Sequence, residues 1–159
     1  MFVPHLQVIP VNAVVQFPNA DPFFHNVFSL FDGKRFDLGL YEAGSTKSVT
    51  FSREGVSYIF CNIHPEMSAV VIALSTPFYA VADASNSFII RSVPPGDYSL
   101  HIWIEGVQLS LLEQETRRVH ITSGTVDLGQ MAVPISRTGT MSHTNKFGKP
   151  YTPAPQSTY

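Results

Sequence analysis

Three side chains that can bind a soft metal ion lie within residues 61–67, which read CNIHPEM. Cys61 is the single cysteine of the 159-residue chain, His64 follows it by three places, and Met67 follows the histidine by three. A lone cysteine cannot form an internal disulfide, so its thiol is a buried small hydrophobe, a reactive group or a metal ligand. Thiolate, imidazole and thioether ligands together favour copper over the hard cations, which prefer oxygen.

A second histidine is needed to complete such a site. Blue-copper centres use two histidines and one cysteine in a plane, with a weak axial methionine. His25 is the best candidate, because it follows the turn FPNADPFF and opens the strand-like run HNVFSLF. Its neighbour Asn26 is expected to donate a hydrogen bond to the cysteine sulfur or to pin the ligand loop. The remaining histidines lie in strand-like runs or in the polar tail: His5, His101, His120 and His143.

Each of these residues also has an ordinary structural explanation. Cys61 alone is more often a buried small hydrophobe, and Met67 alone is more often a core side chain. His64 before a proline is compatible with a solvated loop, and the pair at 25–26 with a common turn. The copper interpretation therefore depends on all the residue types, their spacing and their strand context together. Zinc is a weaker alternative, since structural zinc sites use more thiolates and no methionine.

Composition restricts the kinds of partner. Hydrophobic residues make up 44% of the chain and charged residues 14%, which is typical of a globular protein. The net charge of −2 gives no reason to expect nucleic acid or an anionic membrane as partner. Apolar runs such as AVVIAL at 69–74 are far shorter than the roughly 20 residues that span a bilayer. No signal peptide is visible at the start of this chain.

Short strands dominate the predicted secondary structure, which indicates an all-β protein of sandwich type. The strand-like runs are LQVIPV, AVVQF, HNVFSLF, KSVTF, VSYIF, SAVVIAL, FYAVA, SFIIR, YSLHIWIE and RRVHIT. Turn residues separate them, for example FPNADP at 17–22 and PPGD at 94–97. One stretch, LSLLEQE at 109–115, is weakly helical.

The chain is predicted to contain two domains and a tail, with a boundary near Ser75. Residues 1–75 hold six strand-like runs and the cysteine motif, residues 76–136 form a small β domain, and residues 137–159 form an extended or disordered tail. The second domain is expected to begin with a three-strand unit. Alternation there places Tyr98, Leu100, Ile102 and Ile104 on one face, and Ser99, His101, Trp103 and Glu105 on the other.

Two segments carry a resemblance to known families. FVPHLQVIPVNAVVQFPNADPFFHNVFSL followed by VTFSREGVSYIFCNIHPEMSAVVIAL resembles the plastocyanin- and amicyanin-like cupredoxins over residues 2–74. TPFYAVADASNSFIIRSVPPGDYSLHIWIEG looks like a carboxypeptidase-regulatory-like, transthyretin-type β module, over about 76–130. The combination is similar to bacterial proteins described as methylamine-utilisation or plastocyanin-like proteins.

The resemblance implies a Greek-key β-sandwich carrying one type 1 copper, in a periplasmic or secreted protein. The family's ligands fall on His25, Cys61, His64 and Met67. Asn26 and Pro65 are expected to support these ligands, and His64 and Glu66 to lie where a redox partner docks.

The leading function is a one-electron carrier between periplasmic redox partners, with no catalytic residues. A copper-binding or copper-delivery protein without redox turnover is the alternative, and a structural module is a third. A copper oxidase or nitrite reductase is disfavoured, because those enzymes add sites built from His-x-His pairs and the chain contains none.

Overall fold

The computed structural model describes residues 1–30, 33–133 and 144–151. These residues fall into two compact units, one comprising 1–77 with 144–151 and the other 78–133. The strands are β1 Leu6–Pro10, β2 Val14–Pro18, β3 Val27–Ser29, β4 Phe36–Asp37, β5 Thr46–Thr50, β6 Gly55–Cys61, β7 Ser68–Leu74, β8 Gly96–Leu100 and β9 Arg117–Ile121, and the helix is α1 Leu109–Gln114. The described chain is therefore mostly β.

Two sheets build the first unit. One has five strands in the order β1-β7-β6-β3-β4, and the other pairs β2 with β5. Strand β1 runs parallel to β7, whereas β3, β6 and β7 are joined by antiparallel pairs. The parallel β1 lies at the edge of the larger sheet, while β6, which ends at the cysteine, lies at its centre.

The core of the first unit lies between the two sheets. Val15 and Phe17 from β2 are buried in one cluster with Ile59 from β6 and Val71 from β7. In β2 every second residue is buried, as expected for a strand with one face against a core and one in solvent. The same alternation in β6 places Cys61 on the face of Ile59, so the core-facing side of this strand ends in the thiol.

The second unit contains β8, α1 and β9, and its two strands pair antiparallel. The predicted helix at 109–115 is confirmed by α1, which buries Leu112. The predicted strands FYAVA and SFIIR are wrong, since residues 78–91 form no strand. The prediction that a strand with alternating faces continues after Leu100 is also wrong, because residues 101–104 lie outside β8.

The physical reason for these errors is the lack of a buried face. Val81 and Ile89, each apolar and β-branched, are 57% and 68% exposed, so β propensity alone did not form a strand there. Asn86 and Ser92 take positive φ angles, which interrupt extended backbone. The three-strand unit is thus a two-strand sheet with a helix, and its transthyretin-like type remains a prediction.

Candidate metal centre

The pairing of β3 with β6 brings His25 next to Cys61. These strands run antiparallel with Val27 opposite Cys61. His25 lies two residues before Val27, so it occupies the same face and is a diagonal neighbour of the cysteine. The N–H of Asn62 donates to the carbonyl of Asn26 at 2.9 Å, which continues the pairing past the end of β6. The two side chains, 36 residues apart in the chain, therefore meet at one end of the core.

The loop from β6 to β7 brings His64 and Met67 to the same place. The N–H of Met67 donates to the carbonyl of His64 at 3.0 Å, and the N–H of Cys61 donates to the carbonyl of Met67 at 3.2 Å. These two bonds close the loop over seven residues. Met67 is 7% exposed and lies opposite the cysteine, while His64 is half-buried. The short loop leaves the histidine at the boundary between core and solvent.

Three donor atoms lie close enough to share one ion. Nδ1 of His25 is 3.6 Å from the Sγ of Cys61, and Nδ1 of His64 is 3.5 Å from it. All three donors lie within 4.8 Å of one another. In a trigonal site, bonds of about 2.0 Å to nitrogen and about 2.3 Å to sulfur would separate each nitrogen from the sulfur by about 3.7 Å. The arrangement therefore fits a single ion held between the three side chains.

The donor set distinguishes between metals of similar size. Zinc would fit these distances, but structural zinc sites use more thiolates and no thioether. One thiolate, two imidazoles and a methionine are the ligands of blue-copper centres. The cluster of His25, Cys61, His64 and Met67 is therefore typical of a type 1 copper site.

The second nitrogen of His25 is held by a carboxylate. Its Nε2 lies 2.8 Å from Oδ2 of Asp21, and the carboxylate accepts the ring N–H. The buried Asn19 shapes this turn, since its Oδ1 accepts the N–H of Asp21 at 3.1 Å and its Nδ2 donates to the carbonyl of Phe23 at 2.8 Å. A carboxylate in this position fixes the ring orientation and leaves Nδ1 free of a proton for a metal. Sequence reasoning missed Asp21, although its place four residues before the histidine was a usable signal.

Aromatic side chains surround the site. The ring of Phe23 lies 5.3 Å from that of His25 and 5.2 Å from that of His64, so it covers both imidazoles. Burial first, and the negative charge of Cys61 second, raise the pKa of Tyr41 to about 12. The same two causes raise the pKa of Tyr151 to about 12. Both tyrosines therefore keep their protons to a higher pH than an exposed tyrosine does, and Cys61 itself is 0% exposed.

The other predicted site residues take more specific places. The side-chain Nδ2 of Asn26 donates to Asp37 at 2.6 Å. Its main-chain carbonyl accepts the N–H of Asn62, and this second bond is the one that holds the ligand loop. Pro65 and Glu66 lie at the exposed tip of the loop.

A segment near the end of the chain also reaches the site. The hydroxyl of Tyr151 donates to the carbonyl of Cys61 at 3.0 Å, and Lys146 contacts both Asn62 and Asp37. Although burial raises the pKa of the Asp37 carboxyl, hydrogen bonds from Lys146, Asn26 and the Gly39 N–H, with the lysine charge, hold it below its ordinary value.

Solved structures of copper proteins resemble part of the chain. A purple cupredoxin from Nitrosopumilus maritimus matches over 45% of this chain and 79% of its own, with 29% identity and a TM-score of 0.41. A reduced amicyanin variant matches over 45% of this chain and 70% of its own, with 26% identity and a TM-score of 0.39. A copper-containing nitrite reductase from Thermus scotoductus SA-01, 24% identical with a TM-score of 0.43, is covered over only 20% of its length. No protein-family model and no curated protein matches the chain.

At these low TM-scores the likeness is partial. The assignment of the site to copper therefore rests on its own donor atoms and not on these structures.

Proposed function

We propose that this chain is a cupredoxin-type blue copper protein that carries single electrons between redox proteins. The observation that carries this proposal is the convergence of Nδ1 of His25 and Nδ1 of His64 on the sulfur of Cys61, at 3.6 and 3.5 Å. Bound copper would supply a Cu(II)/Cu(I) couple, which exchanges one electron at a time. Met67 would add the soft thioether donor that such centres use.

The role of the protein is to hold the ligands in one arrangement and to exclude water. Cys61 is 0% and His25 3% exposed, so both donors are fixed inside the core. Asp21 orients one imidazole, and the backbone bonds of the loop orient the other. Ligands that are locked by packing and hydrogen bonds rearrange little when the charge at the site changes. A small rearrangement is what favours electron transfer over chemistry on a substrate.

The proposed route for electrons leaves the protein at His64. This imidazole is half-buried, and Ile63 and Phe23 beside the site are 45% and 47% exposed. Glu66 adds one exposed carboxylate at the edge of this apolar patch. Such a surface suits docking of a redox protein, because interface centres are apolar and their rims are charged.

The proposed location is periplasmic or secreted, which follows from the resemblance of the ligand motif and its flanking strands to cupredoxins. Within the described ranges, no helix has the length and apolar character that crossing a membrane requires.

Titration of the reduced, metal-free chain with Cu(II) tests the proposal. We expect one equivalent to bind and to produce an intense visible band from thiolate-to-copper charge transfer. Ascorbate should bleach this band, and an oxidant should restore it. Cys61→Ser should abolish the band even if copper still binds, because the thiolate is the electron donor in the transition.

His120→Gln is the control, since this histidine lies in the second unit with its side chain 67% exposed. It should keep the full band. A chain that binds only Cu(I), without colour, would favour the second function, which is copper binding or delivery without redox turnover. Retention of the band in Cys61→Ser would contradict the blue-copper assignment, and no copper uptake at all would contradict both functions.

A further inference from the structure

We propose that residues 144–151 form a positioning segment of the metal centre, which ties the end of β6 at Cys61 to the segment that leads from His25 into β3. The copper measurement that tests this proposal rests on the proposed function. The contacts from which the proposal is argued are hydrogen bonds within this chain and do not depend on copper. Lys146 is hydrogen-bonded to Asn62, the residue after Cys61, although the two are 84 residues apart in the sequence. The segment nevertheless belongs to the same compact unit as the ligands.

The first contact is made by Tyr151 to the main chain of a ligand. Its hydroxyl donates to the carbonyl of Cys61 at 3.0 Å. Cys61 is fully buried, and a buried carbonyl is costly without a hydrogen-bond partner. This bond therefore stabilises the position at which the cysteine leaves β6 and enters the ligand loop.

Lys146 makes the second and third contacts. Its N–H donates to Oδ1 of Asn62 at 3.0 Å, and its Nζ lies 2.8 Å from Oδ2 of Asp37. The other oxygen of Asp37 accepts the Nδ2 of Asn26 at 2.6 Å. Asn62 directly follows Cys61, and Asn26 directly follows His25. Lys146 thus contacts the neighbour of Cys61 directly and the neighbour of His25 through Asp37.

The segment is held in shape by its own turn. Oδ1 of Asn145 accepts the N–H groups of Phe147 and Lys149, each at 3.0 Å. The N–H of Asn145 donates to the carbonyl of Lys149 at 2.8 Å, and Gly148 takes the positive φ of 72° that closes the turn. The turn therefore orders the backbone around Lys146, and Tyr151 follows the turn by two residues.

Tyr151→Phe in the full chain tests the proposal, because it removes one donor and keeps the ring. In the metal-free protein, alkylation of Cys61 by iodoacetamide should become about fivefold faster, the effect of losing one ordinary hydrogen bond. In the copper-loaded protein, the charge-transfer band and the copper hyperfine coupling should shift. Lys146→Met, which removes the charge and keeps most of the stem, should act in the same direction.

Tyr98→Phe is the matched control. Its hydroxyl makes the same kind of bond, to the carbonyl of Pro94 at 3.0 Å in the second unit, and its loss should change neither measurement. Unchanged alkylation in both test variants would overturn the proposal. Faster alkylation with an unchanged copper spectrum would also overturn it, since the segment would then stabilise the fold without positioning the ligands. Absence of copper uptake in the unmodified chain would contradict the proposed function, and it is detected separately because alkylation is measured without metal.

Discussion

The two ring nitrogens of His25 have different partners, and this difference defines its role. Nδ1 faces the thiol of Cys61, and Nε2 faces the carboxylate of Asp21. A histidine that donates one N–H to a carboxylate presents the other nitrogen, unprotonated, as a fixed and more basic ligand. The carboxylate also places a negative charge next to the site, which favours the more positively charged oxidised form.

Asp21→Asn should therefore raise the reduction potential and weaken copper binding. The substitution keeps the size of the side chain and removes its charge. We expect a loss of about tenfold in Cu(II) affinity. A tenfold weaker preference for the oxidised form corresponds to a rise of about 60 mV for a one-electron couple. Competition titration and voltammetry measure the two effects.

Asp97→Asn is the control for this change. It removes a carboxylate 2.7 Å from Nδ1 of His120, an exposed pair in the second unit. This variant should leave both affinity and potential unchanged. An unchanged potential in Asp21→Asn would show that the carboxylate does not act on the site, and a lower potential would contradict its predicted stabilisation of the oxidised form.

At the scale of strands, β6 ends at Cys61, β3 begins two residues after His25, and each of the two strands contains one fully buried serine. Ser57 in β6 is 1% exposed, and its Oγ accepts the N–H of Lys34 at 2.7 Å. Ser29 in β3 is 0% exposed, and its hydroxyl has no hydrogen-bond partner among the described residues. The same residue type therefore has opposite energetic consequences on neighbouring strands.

Ser29→Ala should be neutral or slightly stabilising, because it removes a buried hydroxyl that makes no bond. Ser57→Ala should cost about 1–3 kcal/mol, because it leaves the Lys34 N–H unpaired. Urea unfolding of the metal-free chain, followed by near-UV circular dichroism, measures both. An equal cost for the two substitutions would contradict this assignment of the hydrogen bonds.

At the scale of the molecule, residues 144–151 bind to the first unit although they follow the second unit in the sequence. The ion pair between Lys146 and Asp37 joins positions 109 residues apart, and the second unit lies between them in the sequence. The first unit is therefore completed by residues that follow the second unit. Truncation before residue 144 would remove contacts from the metal centre rather than a separate appendage.

The first unit should lose stability in acid as Asp37 is protonated. The pKa of this carboxyl is held below its ordinary 3.8 in the folded chain, despite burial, by hydrogen bonds from Lys146, Asn26 and Gly39. A lowered folded-state pKa means that the contribution is complete above the unfolded pKa and is lost as the pH falls through the folded pKa. The difference in urea midpoint between the unmodified chain and Asp37→Asn should therefore be constant above about pH 5 and shrink below about pH 4.

Asp127→Asn, in the second unit, should follow the acid profile of the unmodified chain. The prediction would be contradicted if the difference in urea midpoint between the unmodified chain and Asp37→Asn stayed constant down to about pH 2.

The ligand motif could be predicted because its geometry is local. Cys61, His64 and Met67 lie in one short loop between two strands with clear β patterns, so any fold with that hairpin brings them together. His25 could be inferred only as the best remaining histidine, and the register of β3 against β6 then placed it beside the thiol. The helix α1 could also be predicted, because Leu109–Gln114 is rich in helix-forming residues.

Contacts between distant residues were beyond prediction from one sequence. Tyr151 and Lys146 look like ordinary members of a polar tail, because nothing local marks a contact 90 or 109 residues away. The strands predicted at 78–91 failed for the related reason that propensity describes a residue, whereas a strand also requires a partner and a buried face. Residue types and loop spacing thus specified the chemistry of the site. Its surroundings were decided by the packing of the folded chain, since burial and pairing depend on which distant segments meet.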